Sequence, residues 1–437
     1  MEDKIVLIEG CRTPFLKSGT QYMDLMAYEI GQLAISGLLA KTGIEKSTID
    51  SVVLGTVITN LKTSNVAREA ALTAGIPHTT PCHTVTQACI SANRAIASAI
   101  GEIKTGISEV VIAGGVDNTS DTPIGFRREM RKKLFKAQKL KSIKDQLKFI
   151  SSLRIKDFLP EKPTISEFTT GKTMGQDCDT LAAKYKVSRK EQDEYAILSH
   201  NLADKAWEDG HLSNEVVPVQ VGKKFNYIHR DNGIRPGSSL EKLSKLRPAF
   251  DKKNGTLTAA NSSYLTDGAA VVLLMKESKA KELGLKPKAE IIEMCFTGQE
   301  LKEELLLGPV FSMSKVLRKA NLSLAQMDVI EIHEAFAGQV LANINCLESD
   351  EFAKTKLNQS EKTGLVERQK LNRWGGSLAI GHPFGATGAR LLNTTANRLI
   401  KENGNYGILS AFAAGAHGHA MIIKKYNKPQ YWEEAKA

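Results

Sequence analysis

Ile49-Asp50-Ser51-Val52-Val53-Leu54-Gly55 and Met327-Asp328-Val329-Ile330-Glu331-Ile332-His333 are two copies of one signal, a short apolar run of the kind that forms a buried strand. Each follows a short helical pattern. Further along the first half, a small-residue turn at Cys89 opens a helical stretch that ends near Gly106 and leads into Val110-Val111-Ile112-Ala113. The second half repeats the order, from Gly381 through Gly404 into Ile408-Leu409-Ser410. Strands alternating with helices predict an α/β fold with mainly parallel pairing, built twice over. Ile5-Val6-Leu7-Ile8 reads as a further buried strand.

The chain has 437 residues, 42% hydrophobic and 24% charged, more than one core usually organises and typical of a globular protein. The expected division is a first half at 1–120 joined by part of 251–275, a loop domain at 121–250, and a second half at 276–437. The middle segment carries Pro160, Pro163 and the loop-like Asn232-Gly233-Ile234-Arg235-Pro236-Gly237. From Ser188 to Gly210, however, Tyr195, Leu198, Leu202 and Ala206 recur at helical spacing, so the insertion is expected to be largely helical.

Six cysteines, at 11, 82, 89, 178, 295 and 346, form no CxxC pair and are too few for a disulfide framework, so neither a metal site nor a secreted scaffold is expected. The N-terminus lacks a signal-peptide pattern and no apolar run approaches the ~20 residues of a bilayer span. A cytoplasmic protein, or the processed form of an organelle protein, is expected.

The formal charge is +11, and 127–162 alone holds 13 basic and 4 acidic residues. Within it Leu140, Ile143, Leu147 and Ile150 recur at three- and four-residue steps between Lys139, Lys141, Lys144 and Lys148, the pattern of a basic amphipathic helix. Such a helix packs its apolar stripe on the parent domain, lies on a membrane surface or a partner, or draws in an anionic substrate. No recognised motif supports nucleic-acid binding.

Three stretches carry chemistry. Val85-Thr86-Gln87-Ala88-Cys89-Ile90-Ser91-Ala92-Asn93 puts a cysteine where a strand gives way to a helix, so that free N–H groups are available to a thiolate or an oxyanion. A buried structural cysteine is the alternative. Gly375-Gly376-Ser377-Leu378-Ala379-Ile380-Gly381-His382-Pro383-Phe384-Gly385-Ala386-Thr387-Gly388-Ala389-Arg390 sets a histidine in a glycine-dense turn and matches neither dinucleotide nor P-loop patterns. His333-Glu334-Ala335-Phe336-Ala337 stands at the carboxyl end of a strand, where α/β sheets place their sites.

In this order the three stretches resemble the thiolase family, from Arg12-Thr13-Pro14-Phe15 to Gly418-His419-Ala420-Met421. Glu167-Phe168-Thr169, Asp231-Asn232-Gly233-Ile234-Arg235-Pro236 and the histidine of His333-Glu334-Ala335-Phe336 are most similar to the branch holding the trifunctional-enzyme β-subunit and bacterial 3-ketoacyl-CoA thiolases of fatty-acid β-oxidation. The resemblance implies a duplicated thiolase fold, layered αβαβα, and acyl transfer through a thioester on Cys89. It implies His382 as general base, His333 as a further oxyanion partner, and backbone N–H groups at Cys89 and Ala414 as a second oxyanion site. Ser263, Ala335 and Phe336 would contact substrate. Coenzyme A would serve as co-substrate, with no tightly bound cofactor. A homodimer and a hydratase/dehydrogenase α-subunit are the partners implied.

One position departs from the family. Its last motif, C-A-A-G-G, holds a second cysteine that moves the α-carbon proton; here the chain reads Phe412-Ala413-Ala414-Gly415-Ala416. A phenyl ring exchanges no proton, so three outcomes follow: a thiolase with impaired turnover, a thiolase-fold scaffold subunit, or a Cys-His-His decarboxylating set like that of ketosynthases.

Overall fold

The computed structural model describes residues 3–161, 166–222 and 226–427. Nine strands form one continuous sheet: β1 Ile5–Arg12, β2 Ser51–Gly55, β3 Cys82–Val85, β4 Val110–Asp117, β5 Thr266–Lys276, β6 Ala289–Gly298, β7 Val329–Ile332, β8 Tyr406–Ala413 and β9 His417–Lys425. Their spatial order is β7-β8-β9-β6-β1-β5-β4-β2-β3, with Leu16–Lys17 pairing as an extra short strand on β5. A two-pair contact between β1 and β6 joins the halves.

The halves match strand for strand. β1 is antiparallel to β5, which is antiparallel to β4, which is parallel to β2 and so to β3. Likewise β6 is antiparallel to β9, which is antiparallel to β8, which is parallel to β7, and Leu371 bridges β7 in parallel where the fifth strand belongs. The expectation of mainly parallel pairing is therefore corrected. The parallel strands, β4, β2 and β3 in one half and β8 and β7 in the other, lie at the outer end of each half and are linked by crossover helices; β9 returns from β8 through a three-residue turn, and such a tight connection joins antiparallel neighbours.

Apolar residues face both sides of each half-sheet, and three clusters show why. Val6, Val52, Ile112 and Leu273 pack under α1 Ala27–Thr42 and α2 Val66–Thr73. On the opposite face Leu7, Val53, Val111 and Val272 meet the paired central helices α3 Ser91–Thr105 and α10 Thr387–Lys401, which also cover Leu409, Met421 and Ile423 of the second half. Beyond that half lie α8 Gly308–Ala320 and α9 Ala337–Leu347 over Ile330, Ile408 and Ile422. The result is the layered αβαβα architecture. Each fully buried aliphatic side chain contributes roughly 1.5–3 kcal/mol.

The glycine-dense motif serves close approach between halves. A Cβ on Gly388 would stand 2.2 Å from Asn93 Oδ1 on α3, and one on Gly115 would stand 2.0 Å from the Gly385 carbonyl oxygen. Gly385 N–H also donates to Asp117 Oδ2 at 2.5 Å, tying the His382 loop to β4.

Between β4 and β5 the chain builds α4 Arg128–Ala137, α5 Ile143–Ser151, α6 Met174–Lys184 and α7 Arg189–Glu208. The capping box Ser188–Glu191 starts α7, and Ala203, Ala206 and Trp207 dock it on the central cluster. Arg12 holds the segment's far end, donating to Asp231 at 2.6 and 2.9 Å, while Phe15 N–H donates to the same carboxylate at 2.7 Å.

The basic stretch is two helices, not the single one expected. Ser142 Oγ accepts from Asp145 N–H at 3.1 Å and starts α5 afresh, leaving Leu140 in the connecting turn. Its stripe does not pack on the parent domain either: Ile143, Leu147 and Ile150 are 75%, 62% and 61% exposed. Lys162 and Pro163 lie outside the described residues.

Candidate active site

Cys89 is reached through a strained turn. Ala88 has φ +45°, a conformation that costs a non-glycine residue free energy, and Ser91 locks it: its Oγ accepts from Gln87 N–H at 2.8 Å and donates to the Ala88 carbonyl at 2.7 Å. The turn swings Cys89 off the end of β3 and onto the start of α3. Backbone N–H groups of Ala414 and of Cys89 itself are directed at the sulfur, yet burial outweighs them and pushes the thiol up to about 12. At rest the sulfur is therefore a protonated thiol, and a base is needed to activate it.

His382 lies in the loop after the short helix Ser377–Ile380. Its N–H donates to Thr266 Oγ1 at 3.0 Å, and its Nδ1 meets Thr387 Oγ1 at 2.6 Å. His333 ends β7, held by its N–H to the Ser410 carbonyl at 2.9 Å and by Nδ1 to Ser377 Oγ at 3.0 Å. The two rings lie 4.1 Å apart, centroid to centroid, and the Phe412 ring is 6.0 Å from His333. Both imidazoles are buried, which drives His382 down to about 3 and His333 well below its ordinary value; the Arg390 charge adds to both. Neither Nε2 has a hydrogen-bond partner among the described residues, Cys89 included. Two neighbouring buried ring nitrogens open in this way can each hydrogen-bond a substrate oxygen.

The loop carrying Ser263 is laced to both histidine segments. Ser263 N–H donates to the Ala335 carbonyl at 2.8 Å, Ala337 N–H to the Asn261 carbonyl at 3.0 Å, and Leu265 bridges His382. Ser263 is half-buried at this junction. The side chains of Ala335 and Phe336 are enclosed, Phe336 edge-on to Phe250 at 5.8 Å, so this pair supports the Ser263 loop through its backbone instead of lining an open surface. Phe412 is 1% exposed and packs in the apolar cluster of the second half.

Several residues at the site have no strong sequence signal of their own. Ser377, Thr387 and Arg390 stand behind the histidines inside the quoted glycine-dense motif, where only spatial contact reveals them. Glu167 accepts from Gly415 N–H at 2.5 Å, and its charge reaches Cys89. Lys17 lies over the Tyr264 ring at 5.5 Å, and burial together with the Arg235 charge lowers its pKa.

The family model for the thiolase N-terminal domain matches residues 5–278, and that for the thiolase C-terminal domain matches 285–425. The chain belongs to the thiolase family. It is 52% identical to the bovine protein named trifunctional enzyme subunit beta, mitochondrial, over 97% of this chain and 89% of that one. A Caenorhabditis elegans protein named probable 3-ketoacyl-CoA thiolase is 51% identical over 97% of this chain and 94% of its own length. Among solved structures, human mitochondrial 3-ketoacyl-CoA thiolase in complex with CoA superposes with a TM-score of 0.81 at 29% identity, covering 97% of this chain and 98% of that one. The duplicated thiolase fold expected from the motifs is thus the fold observed.

Proposed function

We propose that this chain is a 3-ketoacyl-CoA thiolase of fatty-acid breakdown, an acyltransferase working through an acyl-Cys89 thioester with impaired turnover. The observation that carries this reading is the pair of open Nε2 atoms on adjacent buried imidazoles, together with a Cys89 sulfur at a helix start that is met by two backbone N–H groups. His382 Nε2 takes the thiol proton as sulfur attacks the 3-keto carbon, and the N–H groups of Cys89 and Ala414 hold the resulting oxyanion. The C2–C3 bond then breaks, leaving the shortened acyl group on Cys89 and an acetyl-CoA enolate. Its thioester oxygen receives hydrogen bonds from His382, now protonated, and from His333. Acetyl-CoA forms when the His382 imidazolium passes its proton to the enolate carbon; CoA thiol then attacks the acyl-Cys89 carbonyl and gives its proton to the neutral His382, which returns it to the departing Cys89 sulfur as acyl-CoA is released. Protonation of the enolate carbon is the weak step, because Phe412 stands where the family has a cysteine. An acyl adduct on Cys89 tests the reading.

Coenzyme A is the co-substrate, with no tightly bound cofactor. The Ser263 loop and the Lys17–Arg235 cations suit pantetheine and phosphate respectively. The six free cysteines suit a reducing compartment, cytoplasm or organelle. A homodimer and a hydratase/dehydrogenase α-subunit are the protein partners proposed; the printed name of the bovine relative, a subunit beta, supports the second.

The loop domain at 121–250 is read as a membrane-surface device. No helix among the described residues is long and apolar enough to cross a bilayer, but α4 and α5 present Phe135, Ile143, Leu147 and Ile150 to solvent beside seven lysines and arginines. An apolar stripe flanked by cations suits the interface of an anionic bilayer. Flotation with cardiolipin-containing liposomes is expected to carry the protein upward, and Ile143→Glu with Leu147→Glu to abolish this. Binding indifferent to lipid charge and to these substitutions would contradict the assignment.

A further inference from the structure

Arg390 is an oddly placed charge. It is 2% exposed, yet among the described residues its Nε and Nη1 have no hydrogen-bond partner, and the nearest carboxylate oxygen, on Glu331, is 3.6 Å away. Its neighbour Arg398 shows what a structural buried arginine looks like. That guanidinium meets Glu331 at 2.7 Å, Glu402 at 2.9 and 3.1 Å and the Lys370 carbonyl at 3.0 Å. Burying a guanidinium with open donors is costly, and packing alone does not account for keeping one.

Among the described residues the one hydrogen bond of the Arg390 side chain runs from Nη2 to Ser377 Oγ at 3.2 Å, and the same oxygen lies 3.0 Å from His333 Nδ1. Guanidinium only donates, so the serine oxygen accepts from it. Ser377 then has one hydrogen left, and His333 Nδ1 is its other partner. A neutral imidazole whose Nδ1 accepts carries its proton on Nε2. At His382 the arrangement is reversed. The Thr387 hydroxyl donates to the Pro383 carbonyl at 3.2 Å and so accepts from Nδ1–H, leaving Nε2 as a lone pair.

We propose that Arg390, acting through Ser377, is a positioning residue that holds His333 as the Nε2–H tautomer, so that of two adjacent imidazoles one is confined to donating and the other is free to accept the Cys89 proton. This rests on the thiolase reading of the site and adds the division of labour within it. The Arg390 charge also disfavours a second cation beside a protonated His382, which keeps the donor neutral during acylation.

Neutron diffraction from deuterium-exchanged crystals of the full chain reads the tautomers directly. The expected map shows deuterium on Nε2 of His333 and none on its Nδ1, with the Ser377 deuteron directed at that nitrogen. In solution, Arg390→Met is expected to lower the rate constant for Cys89 acylation by roughly 10²-fold with the KM for 3-ketoacyl-CoA little changed, as for loss of an oxyanion donor. Arg390→Lys, which still donates to Ser377, is expected to recover most of that loss. If Arg390→Met does not fold, the neutron map of the unaltered chain decides. Deuterium on Nδ1 of His333 in an enzyme that still acylates Cys89 overturns this inference and not the thiolase reading. No acylation, with Nε2 deuterated, overturns the thiolase reading and not this one.

Discussion

Phe412→Cys is expected to raise thiolysis of a 3-ketoacyl-CoA by roughly 10²- to 10⁴-fold, the range for restoring a missing general acid or base. The Phe412 ring lies 6.0 Å from His333, and two residues on, the Ala414 N–H is directed at the Cys89 sulfur. A thiol at 412 would therefore stand beside both the nucleophile and the thioester oxygen, where the enolate carbon must collect its proton. The same substitution removes a buried ring from an apolar cluster that includes Leu305, Ile332 and Ile408, and is expected to cost about 2–4 kcal/mol of stability. Steady-state thiolysis beside a melting curve checks both, with activity rising as Tm falls. A flat rate would mean that another group delivers the proton. Glu167, bound to Gly415 N–H and close enough for its charge to reach Cys89, would be the first to examine. Release of CO2 from malonyl-CoA by the unaltered chain would instead favour the decarboxylating Cys-His-His reading.

Mild acid is expected to unfold this protein at a pH where most folded proteins persist. Four histidines are held neutral by burial: His200 at about 4, His382 and His419 at about 3, and His333 well below its ordinary value. Because the folded-state values are lowered, the unfolded chain takes up protons first as the pH drops below 6.5, and stability is lost in that direction. His200, His382 and His419 each cost about 1.6 kcal/mol between pH 6.5 and 5, roughly 5 kcal/mol together, and His333 adds to the loss in the same direction. Asp117, pushed up to about 6 by burial, works the other way and returns about 1 kcal/mol over the same window; the raised carboxyls of Glu331 and Glu334 add to that offset. A net loss of several kcal/mol is a large part of the roughly 5–15 kcal/mol that holds a domain folded. Urea midpoints measured from pH 7.5 to 5 should fall steeply below 6.5. A midpoint flat to pH 5 would contradict the burial of these rings.

Much of the architecture was legible because both copies of the plan carry the same local signals. The apolar runs at 49–55 and 327–333 contain β2 and β7, and the turns at Cys89 and Gly381 open onto α3 and α10. Strand direction was not legible in the same way. Periodicity marks a strand but not its neighbour, so β5, which arrives from a long insertion, and β9, which turns straight back, gave no local sign of antiparallel pairing. In the basic stretch the break was written in Ser142-Ile143-Lys144-Asp145, a capping signature overridden by regular spacing. Whether an amphipathic face meets its own domain or something else is a tertiary question, which the exposure of Ile143 answers. At the site, reactive residues announce themselves through motif and residue type. Ser377 and Arg390 do not, since a serine and an arginine matter there only through the ring they touch.

The account stands on acylation of Cys89, and mass spectrometry of the intact chain after mixing with acetoacetyl-CoA in the absence of added CoA tests it most directly. The prediction is a gain of one acetyl group, mapped by peptide digestion to Cys89 and absent from Cys89→Ala. An unmodified chain, or a label carried by any of the other five cysteines, would contradict it.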